Sequence, residues 1–152
     1  RHRRHRTCGS MRVLGDSRLL DMAFESSVHH ITLSVTDLER STQWYCRVLE
    51  GAVVAEREGV GFRRNLVRLP SGLVIGLTQH VGTSLADRFD HTRVGLDHLS
   101  LAVPTAEHVR SWAADLDSRG IPHDPLVEAP SGTLVVCHDP DGIPVEVYSP
   151  AP

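Results

Sequence analysis

The chain repeats itself, and that repeat limits its fold more than any single motif does. Residues 28–80 lie over residues 96–150 with the order of chemical types preserved. At an offset of 68, His30 meets His98, Ile31 meets Leu99, Leu33 meets Leu101, Val35 meets Val103, Trp44 meets Trp112 and Val48 meets Leu116. At an offset of 70, Pro70-Ser71-Gly72 meets Pro140-Asp141-Gly142, Ile75 meets Val145 and Leu77 meets Val147, so the second half carries a two-residue insertion. Two tryptophans, two histidines and two turns in register point to duplication of one supersecondary unit.

Each half opens on an alternating strand. Ile31, Leu33 and Val35 face one way and His30, Thr32 and Ser34 the other; Leu99, Leu101 and Val103 stand opposite His98, Ser100 and Ala102. One face of each strand is thus ready for a helix and the other stays semi-polar. A helix follows in both halves. Thr36-Asp37-Leu38-Glu39 has the spacing of a capping box ahead of the stripe Trp44, Tyr45, Val48, Leu49, and Pro104-Thr105 leads into Val109, Trp112, Ala113, Leu116. The tryptophans are expected to pack on the sheet. Three further strands are expected in each half, over about 52–58, 62–69 and 73–79, then 121–127, 133–138 and 143–148.

The pattern therefore predicts an α+β fold of two tandem βαβββ modules forming a cupped, mixed, mostly antiparallel sheet with the helices on its convex side. Module one covers residues 28–80, a linker 81–95, and module two 96–150, within a single domain of residues 26–150. At 152 residues the chain suits one core.

Composition bounds the function classes. With 40% hydrophobic and 23% charged residues the chain reads as a globular domain rather than a disordered one. No apolar run reaches the roughly 18 residues of a membrane span, which predicts a cytoplasmic protein without a membrane partner. Cys8, Cys46 and Cys137 are odd in number and lack metal-type spacing, so they read as reduced thiols. The first six residues hold four of the sixteen basic side chains; without them the net charge moves from −3 by four units to −7. A six-residue basic arm on an acidic body does not predict nucleic-acid binding, and residues 1–25 read as a disordered or extension segment.

The repeat also aligns the chemistry. His30 and His98 open the first strands, Gly76 and Glu146 fall on the last strands, and parity puts all four on the concave face, with His29 turned away. Two imidazoles and one carboxylate on a common face are the donor set of a divalent metal with open coordination positions.

The segments His30-Ile-Thr-Leu-Ser-Val-Thr-Asp37, Asp97-His-Leu-Ser-Leu-Ala-Val103 and Asp139-Pro-Asp-Gly-Ile-Pro-Val-Glu146 carry a family resemblance. They resemble the metal-bearing motifs of the vicinal oxygen chelate (VOC) superfamily, the group of glyoxalase I, bleomycin-resistance proteins and extradiol dioxygenases. The resemblance spans about residues 26–150. It implies paired modules curled around a divalent metal ion (Fe2+, Mn2+, Zn2+, Ni2+ or Co2+) held by His30, His98 and Glu146, and assembly as a homodimer. It also implies a metal-dependent lyase, isomerase, transferase or dioxygenase acting on a small oxygen-chelating substrate. The alternative is a metal-free protein that sequesters a small molecule, as bleomycin-resistance proteins do.

Glyoxalase I enzymes carry a glutamate where this chain has Gly76, which disfavours ordinary glyoxalase I activity. Extradiol enzymes place a catalytic tyrosine where Val136 stands. The metal-dependent fosfomycin-resistance enzymes share the His-x-Thr of His30-Ile31-Thr32, but their potassium loop has no counterpart here.

Around this triad, Glu146 and His138 are the candidate catalytic groups, because an Asp139-to-Gly142 hairpin turn would set Val136 opposite Glu146 and leave His138 two residues along the same face. By the same parity Thr32, Thr78, His80 and Tyr148 are candidate substrate contacts, and Arg68, the repeat partner of His138, could hold an anionic group.

Overall fold

In the computed structural model, residues 26–151 are described; the basic arm, the proposed 1–25 segment and Cys8 lie outside the described residues. The element order is β1 (His30–Ser34), α1 (Leu38–Val48), β2 (Ala52–Gly59), β3 (Phe62–Arg68), β4 (Val74–His80), β5 (Leu99–Ala102), α2 (Ala106–Ser118), β6 (Val127–Ala129), β7 (Gly132–His138) and β8 (Pro144–Pro150). These are two βαβββ modules, each with its own four-stranded mixed sheet, ordered β1-β4-β3-β2 and β5-β8-β7-β6. In each, the first strand pairs parallel to the last and the other pairings are antiparallel.

The two offsets meet in one rung of each sheet. Thr32 pairs with Gly76 in the first, and Ser100 with Glu146 in the second. The two-residue insertion is taken up by helix length: α1 has 11 residues and α2 has 13. Both tight turns before the last strands close alike, Gly72 N–H donating to Leu69 O at 2.9 Å and Gly142 N–H to Asp139 O at 3.0 Å. The glycines sit at φ +91 and +90, a region that a side chain would strain.

Two local expectations need correction. The first helix is capped by Asp37, whose carboxylate accepts from Arg40 N–H at 2.9 Å. Thr36 cannot serve, because its N–H and hydroxyl both donate to the Asp141 carboxylate of the other module. Glu39, the expected return partner, pairs with Arg63 at 2.8 Å instead. Second, β6 covers 127–129 rather than 121–127. Pro122 and Pro125 supply no N–H for a ladder, and only Asp124 N–H reaches across, to Val136 O at 2.7 Å. Trp44 and Trp112 pack against the core as expected, each half-buried, while Tyr45 is the aromatic fully inside it.

The main core is shared by the modules: Leu33, Val35, Tyr45, Val67, Ile75 and Leu77 from the first pack with Leu99, Leu116, Cys137, Ile143 and Val145 from the second. A smaller cluster of Val109, Ala113, Val135 and Val147 seats α2 on its own sheet. Burying each such aliphatic side chain is worth about 1.5–3 kcal/mol. The opposite faces, carrying His30, Thr32 and Ser34 or His98, Ser100 and Ala102, are exposed. No helix among the described residues is long and apolar enough to cross a membrane.

Candidate functional site

The open face of module two holds two of the three expected donors. Glu146 is half-buried on β8 and accepts the Ser100 hydroxyl from β5 through one carboxylate oxygen at 2.5 Å, its other oxygen having no hydrogen-bond partner among the described residues. His98 stands just before β5, exposed, with its Nδ1 2.6 Å from the Asp97 carboxylate. An ionised Asp97 can only accept, so Nδ1 donates and Nε2 is the atom left for a metal when the ring is neutral, the arrangement that orients metal-binding histidines. Val136 is the rung partner of Glu146, as the hairpin predicted. His138 lies on the same face opposite Pro144, with Nε2 3.2 Å from the Asp124 carboxylate. Tyr148 opposes Leu134 and Ala102, and its hydroxyl donates to Ser131 O at 2.5 Å.

The third donor is in module one. His30 is exposed at the start of β1, and its Nδ1 lies 2.8 Å from Nδ1 of His29, the two rings nearly perpendicular at 85°. One of the two must therefore donate. His29 does not turn away as alternation suggested: it precedes the strand, where the period of two has no hold, and it lines the same groove as His30. Thr32 is exposed beside Gly76, at which an added Cβ would lie 2.8 Å from Thr32 Oγ1. His80 is exposed opposite Phe62, and Arg68 is exposed opposite Val74 and Ala52. Thr78 is buried, and its hydroxyl accepts from Arg64 Nε at 2.7 Å.

Among the described residues of one chain, no group of three His, Cys, Asp or Glu side chains comes together as a metal site. His98 and Glu146 have the bearing of ligands, but His30 does not join them, so the donors of a single chain do not by themselves fit the metal that the sequence motifs imply.

Sequence reasoning passed over Arg64 and Phe62. Both follow from the parity that selected Arg68 and Thr78, since residues 62, 64, 66 and 68 share the face of Gly76. Arg64 lies with its guanidinium carbon 5.1 Å from the Phe62 ring centroid. A groove of about 430 Å³ opens here, lined by His29, His30, Arg57, Phe62, Arg64 and others.

Neither described thiol suits nucleophilic work. Burial pushes Cys137 up to about 12 and raises Cys46 as well. Asp139, buried in the turn before β8, is raised by loss of solvent, although the N–H groups of Ile143 and Asp141 donate to it at 2.8 and 2.9 Å.

The comparisons with known proteins agree with this architecture. The family model described as "Glyoxalase/Bleomycin resistance protein/Dioxygenase superfamily" matches residues 27–147. A glyoxylase/bleomycin resistance protein/dioxygenase domain from Frankia sp. EAN1pec is 33% identical, with TM-score 0.76 over 84% of this chain and 99% of that one. The fosfomycin resistance protein FosX from Listeria monocytogenes shares the fold at 19% identity and TM-score 0.64, over 84% of this chain and 96% of its own. TnmS3, an antibiotic binding protein from Streptomyces sp. CB03234, does so at 22% identity and TM-score 0.64, over 85% and 99%. No curated protein matches the chain. A duplicated βαβββ unit, a family model over residues 27–147 and a relative at 33% identity place the chain in the glyoxalase/bleomycin resistance protein/dioxygenase superfamily, that is, the vicinal oxygen chelate superfamily.

Proposed function

We propose that residues 26–150 are a single domain that takes an oxygen-bearing small molecule on its open sheet faces. It acts on that molecule as a divalent-metal-dependent enzyme once a second copy of the chain brings His30 to His98 and Glu146. The observation that carries this reading is the dressing of the two donors on module two: the Asp97 carboxylate holds Nδ1 of His98 and Ser100 orients Glu146, on a face that nothing among the described residues covers. Side chains held in this way are prepared ligands rather than incidental polar residues. FosX has been solved with Mn(II), and a variant of it with a dihydroxypropylphosphonic acid, so the fold accommodates such a centre. A bound divalent cation would supply Lewis-acid stabilisation of charge developing on a substrate oxygen. The protein's part is to bind and orient, with His138 and Glu146 as its candidate proton carriers.

The second reading is sequestration without turnover. It is favoured by the lack of a three-donor cluster among the described residues of one chain, and by the kinship of fold with an antibiotic binding protein.

Elemental analysis of anaerobically purified protein, then activity screening after reconstitution with iron(II), manganese, zinc, nickel or cobalt, separates the two. The enzyme reading expects metal in a homodimer, lost in His30→Ala, His98→Ala and Glu146→Ala. Mixing His30→Ala with Glu146→Ala chains should then restore one intact site per heterodimer. Metal-free protein that binds ligands without consuming them supports sequestration.

A further inference from the structure

We infer that Arg64 is the anchor for an oxyanion, a carboxylate or a phosphonate, carried on a flat apolar body that lies along Phe62 in the groove of module one. The inference rests on the reading that the open faces bind a small molecule, and it names the class of that molecule.

Arg64 is half-buried, and five of the ten described arginines have carboxylate partners: Arg40 with Asp141, Arg63 with Glu39, Arg93 with Asp90, Arg110 with Glu128 and Arg119 with Asp115. Arg64 has no ion pair among the described residues. Its one hydrogen bond among the described residues runs from Nε to the buried Thr78 hydroxyl at 2.7 Å, and its guanidinium carbon lies 5.1 Å from the Phe62 ring centroid.

These two contacts fix the direction of the side chain and leave both terminal nitrogens without a protein partner among the described residues. A guanidinium aimed and rigid before binding loses little rotamer entropy on pairing, and its two terminal N–H groups match the two oxygens of a carboxylate or phosphonate. Phe62, Leu66 and Val74 line the same groove and would cover an apolar body. Arg57, the rung partner of Arg64, adds a second positive charge, and Glu58 is the one carboxylate at the rim. Arg68, four rungs from Arg64 on the same face, is exposed at the strand end and has no such support.

The test uses the full chain and three probes of one shape: benzoate, phenylphosphonate and neutral benzamide, titrated while the Arg64 Nε–H and backbone amide resonances are followed by NMR. Benzoate or phenylphosphonate should shift the signals of Arg64, Phe62 and Thr78 saturably, at least about tenfold more tightly than benzamide; which of the two binds more tightly identifies the head group. Arg64→Gln should weaken the better oxyanion about tenfold or more, and Arg68→Gln by less than about twofold. Thr78→Val should weaken it about threefold by freeing the guanidinium. Equal affinity for benzamide, an unchanged affinity in Arg64→Gln, or no saturation by either oxyanion at about 10 mM overturns the inference. Oxyanion binding that shifts Ser100, Glu146 and Tyr148 but not Arg64 also overturns it, while leaving the small-molecule reading standing. If no probe or candidate ligand moves either open face, that broader reading fails as well.

Discussion

Asp141, in the turn before the last strand of module two, accepts the backbone N–H of Thr36, two residues past the first strand of module one, at 2.8 Å across 105 residues of sequence. Its other oxygen takes the Thr36 hydroxyl and an Arg40 N–H at 3.0 Å. The carboxylate is almost wholly buried and the Arg40 side chain is partly exposed, so the backbone and hydroxyl bonds matter more than the ion pair. Removing the carboxylate strands a buried N–H and a buried hydroxyl at once. Asp141→Ala should therefore lower stability by about 2–4 kcal/mol, and Thr36→Val, which spares the backbone bond, by about 1 kcal/mol. Urea denaturation measures both; equal small losses would show that this contact does not join the modules.

The neighbouring Asp139 sets a pH dependence. Burial raises its carboxyl above the ordinary 3.8, so the native state binds this proton more tightly than the unfolded chain does. The sign follows: the stabilising contribution is fully present below 3.8 and is lost as pH rises through the raised folded value, above which the fold holds a buried charge. Asp139→Asn keeps an acceptor for the Asp141 and Ile143 N–H groups and carries no charge. It should match the wild type near pH 4 and exceed it in stability toward pH 7. Denaturation midpoints that do not separate between those two pH values would mean that hydrogen bonding offsets the desolvation.

The module plan was legible because its signals are local and doubled. Alternation, helical stripes and Pro-x-Gly turns each occur twice in register, and even the insertion came out as two extra residues of α2. The rung facing Val136 to Glu146 was also legible, since a tight turn fixes hairpin register. What the sequence hid is the contact between modules. Asp139 and Asp141 read as turn residues, their repeat counterparts being Leu69 and Ser71, and nothing local says that their carboxylates reach Thr36, Arg40 and Tyr45. The same contact displaced the expected cap from Thr36 to Asp37. Parity put His30 and His98 on equivalent faces of equivalent strands, but equivalence within a repeat is not proximity, which depends on how the two sheets are placed.

The proposal of a single domain over residues 26–150 has a simple consequence. The described core draws only on residues from Ile31 onward. Deleting residues 1–22 should leave the melting temperature within about 2 °C, since a change of 1 kcal/mol moves a domain of this size by about 2–8 °C. A larger fall, followed by circular dichroism, would show that the segment contributes contacts to the fold.

Gly76 tests the metal reading from the opposite side. Its rung with Thr32 is the counterpart of the rung between Glu146 and Ser100, where a serine hydroxyl holds a carboxylate at 2.5 Å. The substitution Gly76→Glu would set a carboxylate on the face of His30, within reach of the Thr32 hydroxyl. The new Cβ meets Thr32 Oγ1 at 2.8 Å and Leu66 Cδ2 at 3.4 Å, so the Thr32 side chain must turn while Leu66 needs no more than ordinary contact. Glycine in a strand contributes little, but a charge at this buried position is desolvated; the two effects together should cost about 1–2 kcal/mol of stability without metal. Added divalent metal should more than recover that loss, because a ligand that binds only the folded state stabilises it by mass action. The measurement is the denaturation midpoint of wild type and variant with and without manganese or zinc. If metal raises the variant no more than the wild type, position 76 does not face a metal centre; if it raises neither, the concave faces serve ligand binding alone.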